Sequence, residues 1–148
     1  MASGGSRGQR YPGRTVFRRG EKIDPLGRQA ALGLAAGRLA AGAGALLATR
    51  PALRAIGFPE PGATGWSLAK VLGARDLTMG GLTVAAREDR AALRAATFIA
   101  TALDAADVIA FGLAAGDPET RRAGAAGAAT AAAAVVGGIW ALHRLGRA

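Results

Sequence analysis

The chain has 148 residues, a formal charge of +9 and no cysteine, and 51% of its residues are hydrophobic. One domain is the default at this length, and disulfides and thiolate metal sites are excluded. The mean hydropathy of +0.23 is diluted by Ala, Gly and a basic N-terminal stretch, so individual segments decide the class better than the average does.

Residues 1–27 are polar and rich in Gly and Arg, with Arg7, Arg10, Arg14, Arg18, Arg19 and Lys22 spread along them and Arg28 just beyond. No apolar core follows Met1, so a signal peptide is not expected. Tyr11 and Phe17 are too few to build a core. A disordered basic tail is expected, with Arg14, Arg18, Arg19, Lys22 and Arg28 contacting anionic lipid headgroups. Two aromatics among the arginines are weak grounds for nucleic-acid binding, which is set aside.

The first apolar segment runs over about 29–48 and is interrupted by Arg38. Gly33 and Gly37 have the small-xxx-small spacing of helix packing. Arg50-Pro51 is expected to close the helix, and residues 50–65 form a Pro/Gly loop from which Ile56 and Phe58 reach the interface. Trp66 opens a second segment, about 66–86, at a position suited to an aromatic belt. Gly73, Asp76, Gly80 and Thr83 share one face of it, and Gly73 and Gly80 are packing candidates. The charged run 87–94 reads as a connector. The third segment, about 95–115, carries a stripe of Thr97, Thr101, Asp104 and Asp107, with Phe98, Ile99, Leu103 and Ile109 set toward lipid. Gly116-Asp117-Pro118 is a turn. The fourth segment, about 120–142, is Ala-, Gly- and Val-rich and is closed by His143, Arg144 and Arg147.

These elements predict an all-α fold: a four-helix up-down-up-down transmembrane bundle over 28–148, behind the disordered basic tail of 1–27. The Lys/Arg bias places both termini on the cytoplasmic side of the cell inner membrane. Arg38, Arg75, Asp76, Asp104 and Asp107 then lie at matching depth. A charge at the middle of a spanning helix costs about 2.5–3.5 kcal/mol, so these residues need partners. Two Arg–Asp pairs and one excess carboxylate are expected, with each member of Arg75-Asp76 turned to a different helix. Asp76 and Asp104 are the expected partners, and Asp107, about 60° from Asp104 around the helix, is the expected excess group. The cluster reads either as a device that holds three helices in register or as a polar site for a proton, ion or small ligand.

Sharper chemistry has no support. Asp104-x-x-Asp107 alone is a weak Mg²⁺ signal. No nucleophile–base pair and no phosphate-binding glycine pattern occurs. No catalytic residue, metal or cofactor is expected, and His143 reads as a partner of the helix dipole.

Pro51, Gly57-Phe58, Gly73-Ala74-Arg75-Asp76-Leu77 with Gly80, and Asp104 occur in an order that resembles a family of small four-helix bacterial membrane proteins of unknown function. The likeness covers about Arg28 to Leu142. It implies a four-span bundle and supplies no catalytic residues. The Ala/Gly/Arg bias points to a high-GC bacterium. The expected function is a non-enzymatic integral membrane protein, a partner or accessory subunit that associates with itself or with another membrane protein. The alternative is a small oligomeric transporter or proton-linked carrier that uses the intramembrane carboxylates. A lipid-modifying enzyme ranks below both. A soluble bundle is disfavoured because the charges gather at segment centres instead of forming a continuous wet face.

Overall fold

The computed structural model describes residues 22–55, 57 and 62–147. The described residues form five helices and no strand: α1 (Pro25–Leu47), α2 (Thr49–Ala55), α3 (Ala63–Ala85), α4 (Arg90–Ala114) and α5 (Arg121–Leu145). The tail before Lys22, including Arg14, Arg18 and Arg19, lies outside the described residues, as do Ile56 and Phe58.

The helix boundaries follow from local chemistry. Asp24 caps α1 by accepting from Gly27 N, and Pro25 opens the helix, where the missing N–H costs nothing. The chain leaves the α region at Ala48 (φ −132°, ψ 46°) and turns helical again at Thr49, so part of the expected 50–65 loop is α2. Pro51 sits in the first turn of α2 and does not stop it. Gly57, at φ +97°, ends that excursion in the left-handed region. Asp89 accepts from Ala92 N and starts α4 at Arg90. The expected 87–94 connector is therefore mostly the first turn of a helix, because its acid is an N-cap.

Helices α1, α4 and α5 are long and apolar enough to cross a membrane. α3 does not join them, because Lys70, Arg75 and Asp76 interrupt it. Large apolar side chains point outward, among them Phe98 (62% exposed), Ile109 (66%), Leu113 (76%) and Val136 (69%). Thr78, Thr83, Thr97, Thr101 and Thr130 each donate to the carbonyl four residues earlier, so these hydroxyls are satisfied within their own helices, as an apolar surround requires.

Packing relies on small residues. The only large side chains with almost no exposure among the described residues are Leu93 and Leu145, which gather with Ala31 where α1 and α4 begin and α5 ends. Elsewhere backbones meet directly. A Cβ on Gly42 would lie 2.6 Å from Gly73 O, and one on Gly80 would lie 2.8 Å from Leu39 Cγ and 3.0 Å from Ala35 O. These contacts run α1 antiparallel to α3. α5 passes antiparallel to α4 in the same way, with Gly127 under the Phe111 ring and Gly138 against Thr101. Gly33 and Gly37 are exposed, with open space where a Cβ would stand. They do not pack within this chain, contrary to expectation; the face of α1 that includes Arg38 carries Ala31, Ala35 and Gly42 inward instead. α3 and α4 pack least closely of the sequence-adjacent long helices.

Candidate functional site

Across the loose α3–α4 seam lies a network of ion pairs, with one arm reaching in from α1. Arg38 Nη2 donates to Asp104 Oδ2 in the shortest of these contacts. The same nitrogen donates to Ala100 O at 3.0 Å, and Nη1 donates to Asp76 Oδ1 at 3.4 Å. Arg75 binds Asp107 through two parallel bonds, Nη1 to Oδ1 at 2.9 Å and Nη2 to Oδ2 at 2.6 Å. This fork-on-fork geometry is the strongest a guanidinium makes with a carboxylate. Arg75 Nη2 also donates to Asp76 Oδ1 at 3.2 Å.

Two expectations about the pairing are corrected. Asp107 is not the excess carboxylate, since it holds Arg75 with both oxygens. Asp76 takes that place: one of its oxygens answers both arginines, at the two longest distances in the cluster. Arg75 and Asp76 also do touch. Adjacent backbone positions diverge by about 100°, but the long arginine side chain folds back far enough for its terminus to reach its neighbour.

The five side chains are between 10% and 24% exposed. The cluster sets three carboxylates against two guanidinium groups, so the acids outnumber the bases by one. Arg75 Nε is buried and has no hydrogen-bond partner among the described residues. Beside Arg38 and Asp104, a cavity of about 10 Å³ is lined by Thr83, Thr97, Ala100 and Thr101. That is about the space of one water molecule. Both aspartates of the 104–107 pair bind arginines, Asp104 to Arg38 and Asp107 to Arg75. Among the described residues no group of three or more metal-ligating side chains comes together.

A second polar cluster, not anticipated from the sequence, joins the first and last helices. Arg144 Nε and Nη2 donate to the two oxygens of Asp24 at 2.6 and 3.3 Å. The Arg144 guanidinium holds the Asp24 carboxyl below its ordinary value of 3.8. Arg90 Nε donates to Leu145 O at 2.9 Å, covering a carbonyl at the end of α5. Arg28, expected at lipid headgroups, pairs with Glu88 at 2.5 Å. The available signal was Asp24-Pro25, an N-cap followed by a first-turn proline. His143 is exposed in the last turn of α5.

The described residues together define an all-helical fold with three helices of membrane-crossing length and composition and a half-buried arginine–aspartate network. Comparison with protein-family models, curated proteins and solved structures finds no match to this chain.

Proposed function

We propose that this chain is a multi-pass integral membrane protein, with α1, α3, α4 and α5 as four alternating spans and both termini on the cytoplasmic side of the inner membrane. We assign it no chemistry of its own: it is a partner or accessory subunit whose Arg/Asp network fixes the register of three helices. The observation that carries this reading is the closed network itself. Every carboxylate in it answers a guanidinium, and the adjoining cavity has no room for a substrate. Pairing is also what allows α3 to be a span, because its central charges then meet partners and not lipid. The outward apolar side chains and the open Gly33/Gly37 face of α1 supply surface for lipid and for a neighbouring helix.

The shared carboxylate Asp76, one more acid than the two guanidinium groups can pair one to one, favours one alternative, a small oligomeric proton-linked carrier. Reconstitution into vesicles with an entrapped pH dye separates the two. A subunit without transport activity gives no proton flux above protein-free vesicles under an imposed gradient. Flux that disappears in Asp76→Asn would replace the subunit reading with the carrier. A photo-crosslinker placed at Gly37 should give a discrete adduct in native membranes; its absence there would remove the partner role. Release of the protein from membranes by alkaline carbonate would overturn the membrane reading altogether.

A further inference from the structure

Where α1 begins and α5 ends, Lys22, Ile23, Asp24, Pro25, Arg144 and Arg147 line an open groove of about 590 Å³. Its surface is mainly apolar, from Ile23, Pro25 and the aliphatic stems of the basic side chains. Its charge is unbalanced. Asp24 is taken up by Arg144 through two bonds, whereas Lys22 and Arg147 are exposed and have no ion-pair partner among the described residues. Arg94 adds a third such cation nearby, with Nη2 3.8 Å from where a Cβ on Gly146 would stand. The groove lies just past the ends of two helices of membrane-crossing length. A helix of this length spans about 35 Å against a hydrocarbon core of about 30 Å, which puts these termini at headgroup level.

We propose that this groove is a binding site for one anionic glycerophospholipid. Lys22 and Arg147 hold the headgroup phosphate, and Ile23 and Pro25 carry the first carbons of an acyl chain. Charge complementarity selects this occupant over the chain's own N-terminal stretch, in which Arg7, Arg10, Arg14, Arg18 and Arg19 face a single acid, Glu21. That stretch has the same sign as the groove and would be repelled from it. The site differs from diffuse attraction along the tail, because it depends on Arg147 at the far end of the chain and on the Asp24–Arg144 clasp that shapes it.

The test uses the full chain in a mild detergent, titrated with phosphatidylglycerol or phosphatidylcholine and read by native mass spectrometry and by melting temperature. The parent retains one phosphatidylglycerol in preference to phosphatidylcholine and melts higher with it. At about 1 kcal/mol per basic residue, removing one cation weakens binding ~5-fold, and Lys22→Gln with Arg147→Gln weakens it ~25-fold. Arg50→Gln with Arg122→Gln, at the other end of the helices, leaves binding unchanged, and so does deletion of residues 2–21. Unchanged binding in the Lys22/Arg147 double variant would overturn the groove, as would loss of binding on tail deletion. Equal stabilisation by glycerol phosphate would make it a site for a free phosphate ester and overturn the lipid assignment. The proposal rests on the membrane reading, which carbonate extraction tests separately. A chain that stays in the membrane while the double variant binds lipid as the parent does would sink the groove alone.

Discussion

Asp76 offers one oxygen to two guanidinium groups, whereas Asp107 gives both of its oxygens to one. Stability should follow that difference. Arg75→Gln strands the Asp107 carboxylate in a half-buried seam, and the soluble-protein analogue of such a loss is about 3–5 kcal/mol. Removing Arg75 and Asp107 together should recover much of it, since no uncompensated charge is left. Asp76→Asn should cost far less than Asp107→Asn, because Asp76 makes only the two longest contacts in the cluster and its loss leaves each arginine with its shorter partner. Melting temperatures in detergent across this double-mutant cycle check the ranking, and an Asp76→Asn variant as damaged as Asp107→Asn would reverse it. The five residues stand out in the sequence because a charge among Ala, Leu and Gly must find a partner. Which carboxylate meets which guanidinium is not legible there. The assignment turns on side-chain reach and on the small rotation that separates Asp104 from Asp107, and neither is fixed by spacing.

The helices show a similar limit at the level of packing. In so small-residue-rich a chain, Gly spacing alone does not say which side of α1 faces inward. Gly33, Gly37, Gly42 and Gly44 all qualify, and only Gly42 meets another helix closely. The phase was available from Arg38. Taking that charge as inward puts Ala31, Ala35 and Gly42 on its face at i−7, i−3 and i+4, and turns Gly37 about 100° away. Gly42→Ala should therefore push α1 from α3, because its Cβ would meet Gly73 O at 2.6 Å and Leu77 N at 2.9 Å, both backbone atoms that cannot yield cheaply. Gly37→Ala meets nothing and should gain roughly 0.5–1 kcal/mol of helix propensity. Chemical unfolding of the two variants in the same detergent distinguishes them, with opposite signs expected. The missed start of α4 has the same kind of origin. Charge reads as loop in Arg87-Glu88-Asp89-Arg90, yet one of those acids is the cap.

Across the whole molecule, Asp24 and Arg144 tie α1 to α5 over a sequence separation of 120 residues. Because Arg144 depresses the Asp24 carboxyl below 3.8, the folded state binds this proton less readily than the unfolded chain does. The contribution is therefore fully present above pH 3.8 and is lost as pH falls through the lowered value. Melting temperature against pH should fall more steeply below pH 4 in the parent than in Asp24→Asn, which keeps the capping oxygen and gives up the titration. Equal slopes would show that the clasp adds nothing. The all-helical class and the apolar stretches are legible in the sequence from hydropathy and Pro/Gly punctuation. This clasp is not, because its partners sit at opposite ends of the chain and each looks like an ordinary residue at a helix end.

The span of the central network also bears on how the protein is made. Arg38 and the carboxylate that answers it, Asp104, are 66 residues apart. At ribosomal rates of about 5–20 residues per second, Asp104 appears ~3–13 s after Arg38. During that interval α1 has left the ribosome without its closest partner; Asp76, 38 residues after Arg38, follows sooner but makes only the 3.4 Å contact with it. On the membrane reading, an α1 released into lipid on its own carries that guanidinium at a cost of about 2.5–3.5 kcal/mol, which is relieved once α3 and α4 supply their carboxylates. A joint insertion of three helices is then favoured over stepwise release, and a nascent chain that stops before Asp104 should be retained in the membrane less well than the full chain.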